Sequence, residues 1–222
     1  MNHESTLMTQ IFACDIPSYL EELSVTIQKL PLPAIDRLVR TLLDAYKGGR
    51  TIFPFGNGGS ASLASHMTCD FGKGTATEVG RRLRVVALTD NVALITAWAN
   101  DTRYDRIFAE QLENLLQPGD VAFAISGSGN SPNILSALTF AREAGAVTAG
   151  MSGFQGGQMK SLCDVCVVVP SDNMQIIEDL HLAIAHSVFR RLRSEMQEFN
   201  RSNPGMALSQ NVSEPAPMML QR

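Results

Sequence analysis

Two spacings of hydrophobic residues divide the chain. Apolar positions at Leu20, Leu23 and Ile27, and again at Ile35, Leu38, Leu42 and Leu43, recur at the period of an amphipathic helix. Helices are therefore predicted over 17–29 and 33–47, with Pro17 and Pro33 in their first turns and Gly48 as the stop of the second. From Thr51 the pattern changes to short β-prone runs, which predict strands at 51–55, 84–88, 121–126, 146–151 and 165–169. Between them lie helical segments at 60–71, 92–99 with 104–116, and 132–144, and a short turn near Met159. Strands that alternate with helices and are apolar nearly throughout imply a parallel sheet covered on both faces. The expected fold is thus an α/β doubly wound sandwich preceded by a helical hairpin. A last helix is expected from a cap at Asp172 or Asn173 through Met196. The domain is expected to span 17–200, after an extension at 1–16. Residues 201–222, rich in Pro and small polar residues without periodicity, read as a mobile tail.

Composition then removes several classes of function. Eighteen Lys and Arg stand against 22 Asp and Glu, for a formal net charge of −4. No basic run offers a groove for nucleic acid, so no nucleic-acid partner is expected. Apolar runs such as VVAL and VCVVV are strand-sized, well short of the roughly 20 residues of a membrane helix, so no membrane partner is expected either. The opening MNHESTLMTQIFACDIPS has no basic segment leading into an apolar one, and a cytoplasmic location is expected. Cys163 and Cys166 form a CxxC without a second pair to complete a thiolate site. With Cys14 and Cys69, they are read as reduced packing residues.

Two strand ends carry turns of unusual chemistry. FGNGGSAS follows the first strand and opens a helix near Ser60, while ISGSGNSPN follows the third. In open parallel sheets, ligands bind at the carboxyl ends of strands. Glycines permit close approach of the backbone, and the first amides of a helix favour an anion. In the second turn Ser131 is a natural cap and Pro132 fits the first helical position, so Ser126, Ser128 and Ser131 offer hydroxyls over a second helix start. Gly56, Gly58 and Ala61 also satisfy a dinucleotide pattern, with Asp90 as its acid. That scheme leaves the serines of the second turn without a role, whereas a phosphomonoester uses both turns. No nucleotide cofactor is expected.

Acids and histidines recur at helical spacing. His66 and Asp70 are four apart and share a face. Glu178 and His186 are eight apart on the last helix, about two turns, and share another. His181 lies roughly 140° around from His186 and need not point the same way. Side chains suited to metal binding and proton transfer are thus presented by two helices.

The GNGGS turn, a His six residues after its Ser, the ISGSGNSPN turn and the helix IIEDLHLAIAH together resemble the sugar isomerase (SIS) domain family, most closely its phosphoheptose isomerases. The resemblance runs from the amino-terminal helices to about Arg193. It implies a five-stranded parallel sheet flanked by helices, a homotetramer with active sites between subunits, and conversion of sedoheptulose 7-phosphate to D-glycero-D-manno-heptose 7-phosphate through an enediol, the first step of nucleotide-activated heptose biosynthesis. It maps phosphate contacts to Ser60, Ser126, Ser128 and Ser131, lined by Asn57, with Gly58, Gly59 and Asn130 in the same turns. Gly127 stands where the family has a threonine. The family's catalytic pair of glutamate and histidine matches Asp70 and His186, with Glu178 a further candidate for proton transfer. Some members bind Zn2+ through four residues that match His66, Asp70, Glu178 and His186, one ion per subunit; here Asp replaces Glu and Glu replaces Gln. Noncatalytic relatives, of the replication-initiation regulator type, keep the turns and lose the acids and histidines.

Overall fold

The computed structural model describes residues 15–76 and 81–203. Most of the expected extension and tail lie outside the described residues. Helix α1, Ile16–Ile27, begins where the Asp15 side chain accepts the Ser18 amide at 2.8 Å. Helix α2, Leu32–Gly48, keeps Gly48 as its last helical residue and is capped by Gly49, whose φ of 69° is left-handed. There the Gly49 amide donates to the Tyr46 carbonyl and the Arg50 amide to that of Ala45, a closure that glycine permits at little cost.

Five strands follow, β1 Thr51–Gly56, β2 Arg84–Val85, β3 Val121–Ser126, β4 Val147–Ser152 and β5 Val165–Val168. All pair in parallel, in the order β2-β1-β3-β4-β5. The edge strand β2 is shorter than the expected 84–88. Pro54 of β1 accepts the Leu88 amide through its carbonyl but has no N–H to return to that neighbour, so the ladder thins beyond Val85. Alternation within the strands builds the two layers. Ile52, Val121, Phe123 and Ile125 pack with Leu38, Leu42, Met67, Phe71, Ile176 and Ile184 on one face. Phe53, Phe55, Ala122 and Ala124 pack with Phe108, Leu112, Ile134 and Leu138 on the other.

The helices are α3 Gly59–Cys69, α4 Val92–Asp101, α5 Ala109–Leu115, α6 Pro132–Glu143, α7 Met159–Leu162 and α8 Met174–Ser202. The segment expected as one helix over 104–116 is a 3-10 turn at Tyr104–Arg106 followed by α5. Helix α8 is capped by the Asn173 side chain, which accepts the Gln175 amide, and runs two residues past the expected boundary at 200. Cys163 and Cys166 are half-buried against the second layer, and Cys69 is exposed, so the packing reading does not extend to it.

From β1 the chain passes to β2 on one side and then to β3 on the other. The loops leaving β1 and β3 therefore diverge from neighbouring strands, the switch point where open α/β sheets bind ligands.

Candidate active site

Both glycine and serine turns sit at this switch point. Gly58 precedes α3 with φ 53° and ψ −122°, and Ser60 is buried behind it. In the second turn the Ser126 hydroxyl oxygen accepts the Gly129 amide at 3.2 Å, and that of Ser128 accepts the Asn130 amide at 3.2 Å. Oxygens so engaged leave their hydroxyl protons for an acceptor such as a phosphate oxygen. Asn130 itself faces the turn before α7, its Oδ1 accepting the Gln158 amide at 3.0 Å. Ser131 occupies the N-cap of α6, but its side chain makes no capping hydrogen bond. The expected hydroxyl cap is replaced by Asn133, whose Oδ1 accepts the Ile134 amide at 3.0 Å.

Asn133 is the residue that the sequence reading missed here. Its amide and that of Asn57 exchange two hydrogen bonds, of 2.9 and 2.8 Å, which tie the first turn to the start of α6. Asn133 is 2% exposed. Its only sequence signal was a polar residue directly after the first proline of a helix. Gly127, at the position of the family's threonine, has its space filled from α8: a Cβ built there would lie 2.4 Å from Met174 Sδ.

Farther along, α3 and α8 lie side by side and bring three side chains together. His66 Nε2 lies 2.8 Å from His186 Nε2, and the rings meet edge to face at 67°. Asp70 Oδ2 lies 3.3 Å from His66 Nε2 and 3.7 Å from His186 Nε2. The ligand atoms of these three residues all fall within 4.8 Å of one another. Two imidazole nitrogens and a carboxylate oxygen form a donor set that suits a divalent ion such as zinc. Local backbone assists: α3 ends in a single π-helical turn, Asp70–Gly74, in place of the regular helix expected to Phe71. Such turns are frequent at functional sites.

The structure brings together three of the four expected metal residues. Glu178 stands apart, its carboxylate packed on Gly59, where a Cβ would lie 2.9 Å from Oε2. The reason is axial. Eight residues advance a helix by roughly 12 Å, so Glu178 lies farther along the face it shares with His186. Glu178 instead lies at the positive start of α3, which favours a carboxylate. Gly59, Ser60, Leu63, His66, Glu178 and His181 contribute to the lining of one cavity of about 340 Å³, which runs from the first turn toward the histidines.

This arrangement, a pair of glycine and serine turns at the switch point of a parallel sheet, defines a class. Residues 18–153 match the SIS domain model, and the chain belongs to that family, among its phosphoheptose isomerases. A phosphoheptose isomerase of Paramagnetospirillum magneticum is 40% identical over 174 residues, 78% of this chain and 89% of that protein. One from Bradyrhizobium sp. is 38% identical over 167 residues, 75% and 84% of the two chains. Among solved structures, phosphoheptose isomerase GmhA from Neisseria gonorrhoeae superposes with a TM-score of 0.75 at 27% identity, covering 81% of this chain and 97% of that one.

Proposed function

We propose that the protein is an aldose-ketose isomerase that interconverts sedoheptulose 7-phosphate and D-glycero-D-manno-heptose 7-phosphate. The observation that carries this reading is that one inter-helix cavity is lined both by Gly59 and Ser60 of the first turn and by His66, a member of the His66, Asp70 and His186 cluster. The reaction moves a proton from C1 of the ketose to C2 through an enediol, while a hydroxyl proton moves from O1 to O2. His186 takes the carbon-bound proton and returns it, the general-base role that an imidazole nitrogen can fill. Asp70, within reach of both rings, serves the oxygens; Glu178, at the other end of the cavity, is the second carboxylate for that role. Ser60, Ser126, Ser128 and Ser131 hold the phosphate, so that the far end of the sugar reaches the histidines. Alternatively, His66, Asp70 and His186 would hold Zn2+, which when bound would polarise the substrate oxygens and would occupy the His186 nitrogen that otherwise takes the proton. Noncatalytic binding is disfavoured by retention of both histidines beside an acid. The direct test is incubation of the purified protein with sedoheptulose 7-phosphate; formation of an aldose phosphate supports the reading, and its absence in the presence of zinc overturns it.

A homotetramer working in the cytoplasm completes the proposal. Helix α4 carries the apolar sequence VALITAWAND yet has no buried residue, with Val92 67% exposed. Ile16, Leu20 and Leu32 on the hairpin are also exposed. Apolar surface of this extent on one chain is what a subunit interface covers. Among the described residues, no helix is long and apolar enough to cross a membrane.

Two measurements probe the site further. Ser60→Ala and Ser128→Ala are each expected to weaken phosphosugar binding by about 1 kcal/mol or more, as for a lost hydrogen bond to a charged group. Calorimetry giving the parent affinity for both would remove them from the phosphate contacts. Protein purified without chelator is expected to carry one divalent ion per chain, zinc first, with occupancy lowered by Asp70→Asn. Full activity in chelator, with no metal found by elemental analysis, would leave the cluster to acid and base chemistry alone.

A further inference from the structure

Cys163 and Cys166 take no part in the site described above, yet they stand together. Cys163 caps α7 and Cys166 is the second residue of β5, with only Asp164 and Val165 between them at the corner. Both are half-buried and pack on the same core layer. Their thiols share a side-chain hydrogen bond, and Ser152 Oγ lies 3.7 Å from Cys166 Sγ. The bond from Cys163, helped by Ser152 and the charge of Lys160, holds the Cys166 thiol below the usual thiol range, against the burial that pushes it up. The same bond, with burial, pushes Cys163 up. One sulfur is thus favoured as thiolate beside another that keeps its proton, as an attacking cysteine stands beside a resolving one.

This corner is tied to the second glycine and serine turn from two sides. Cys163 closes α7 by donating its amide to the Met159 carbonyl at 3.1 Å. Met159 and Gln158 in turn donate theirs to the Gly129 carbonyl at 2.9 Å and to Asn130 Oδ1 at 3.0 Å. On the Cys166 side, Ser152 holds His181 Nε2 3.1 Å from its carbonyl oxygen. The next residue, Gly153, donates its amide to the Gly127 carbonyl at 2.8 Å. A disulfide brings its sulfurs to about 2.05 Å, closer than two thiols in hydrogen-bond contact. Its formation therefore draws the end of α7 toward β5 and strains the bonds that α7 makes to the turn.

We propose that Cys163 and Cys166 are a dithiol oxidised by hydroperoxides, and that closing it to a disulfide weakens the hold of the second turn on phosphate. The Cys166 thiolate attacks one peroxide oxygen, the O–O bond breaks, and a sulfenic acid forms. The leaving oxygen takes up the proton that the thiol had given to solvent, and departs as an alcohol, or as water from hydrogen peroxide. The Cys163 sulfur then attacks the sulfenic sulfur, the S–S bond forms, and the Cys163 proton leaves with the sulfenic hydroxyl as water. The thiol pair gives up two electrons and the peroxide takes both. In a reducing compartment the pair rests as thiols and the disulfide is transient. The effect on binding rests on the phosphate role proposed above for the turn.

Treatment of the parent protein with hydrogen peroxide tests both halves. Trypsin cuts after Lys160 and Arg190 and leaves both cysteines in one peptide. That peptide is expected to lose two hydrogens and to resist alkylation until dithiothreitol is added. Calorimetry is expected to show the oxidised protein binding sedoheptulose 7-phosphate and inorganic phosphate at least about fivefold more weakly, the value of a damaged hydrogen bond, with recovery in dithiothreitol. Cys166→Ser given the same treatment is expected to keep its affinity, which separates the disulfide from oxidation at Cys69 or the methionines. In Cys163→Ser the attacking thiol has no resolving partner, and dimedone is expected to trap a sulfenic acid at Cys166. A peptide that keeps its two hydrogens overturns the proposal, as does a disulfide form that binds both ligands like the reduced parent, or an equal loss in Cys166→Ser. A reduced parent that binds neither ligand overturns the phosphate reading and the effect on binding with it, and the peptide mass then decides the dithiol alone.

Discussion

Replacing His186 with Asn is expected to lower turnover of sedoheptulose 7-phosphate at least about a hundredfold, the low end for loss of a general base. The asparagine amide keeps approximate size and polarity but does not take up a proton near neutral pH. It also removes the Nε2 that lies 2.8 Å from His66 and 3.7 Å from Asp70, so the pairing across α3 and α8 is broken. The fold should persist, because the His186 side chain is 48% exposed and α8 is held by Leu180, Ile184, Ala185 and Val188, all buried. Phosphosugar affinity should change far less than turnover, since the phosphate is held at the other end of the groove. Following the reaction by NMR, with binding measured in parallel, separates the two effects. A variant that binds and turns over substrate at the parent rate removes His186 from catalysis.

Gly129→Ala is expected to abolish most phosphate binding, with a loss of tenfold or more, and to lower stability by about 1–3 kcal/mol. Gly129 has φ +65°, and a Cβ there would lie 2.2 Å from the Gly156 carbonyl oxygen and 2.8 Å from its carbon. These are backbone atoms, which unlike the end of a flexible side chain have little room to yield. The turn itself must therefore move, and Gly129 holds it at three points. Its amide donates to Ser126, its carbonyl accepts the Met159 amide at 2.9 Å, and its neighbour Ser128 carries one of the proposed phosphate contacts. Titration with inorganic phosphate and a thermal melt check both parts. Parent affinity together with parent stability would show that the turn accommodates the methyl group and that its geometry does not set the site.

Much of this was legible along the chain. The sheet was readable because strands buried on both faces are apolar nearly throughout, as in VAFAIS and VCVV. Both turns were readable because left-handed backbone and close packing require glycine, and because serine at four such positions is more than turn geometry requires. The pairing of His66 with Asp70 followed from a four-residue step on one helix, a distance that local geometry sets. Element ends were less legible. Gly49 rather than Gly48 caps α2, and the short β2 reflects the missing N–H of Pro54 in the strand beside it.

What the sequence determined by itself was therefore local: the period of each segment, the chemistry of each turn, and which side chains share a helix face. Only the tertiary structure decided which faces meet. Helices α3 and α8 are more than a hundred residues apart in the chain, and their relative height is set by packing of Leu63, Met67, Ile177, Leu180 and Ile184 in one core layer. That height puts His186 against His66 and Asp70, and Glu178 against Gly59. The staple between Asn57 and Asn133 and the buried tie from His181 to Ser152 are of the same kind. Each joins residues distant in the chain, and no periodicity records a contact that exists only after the sheet has brought its strand ends together.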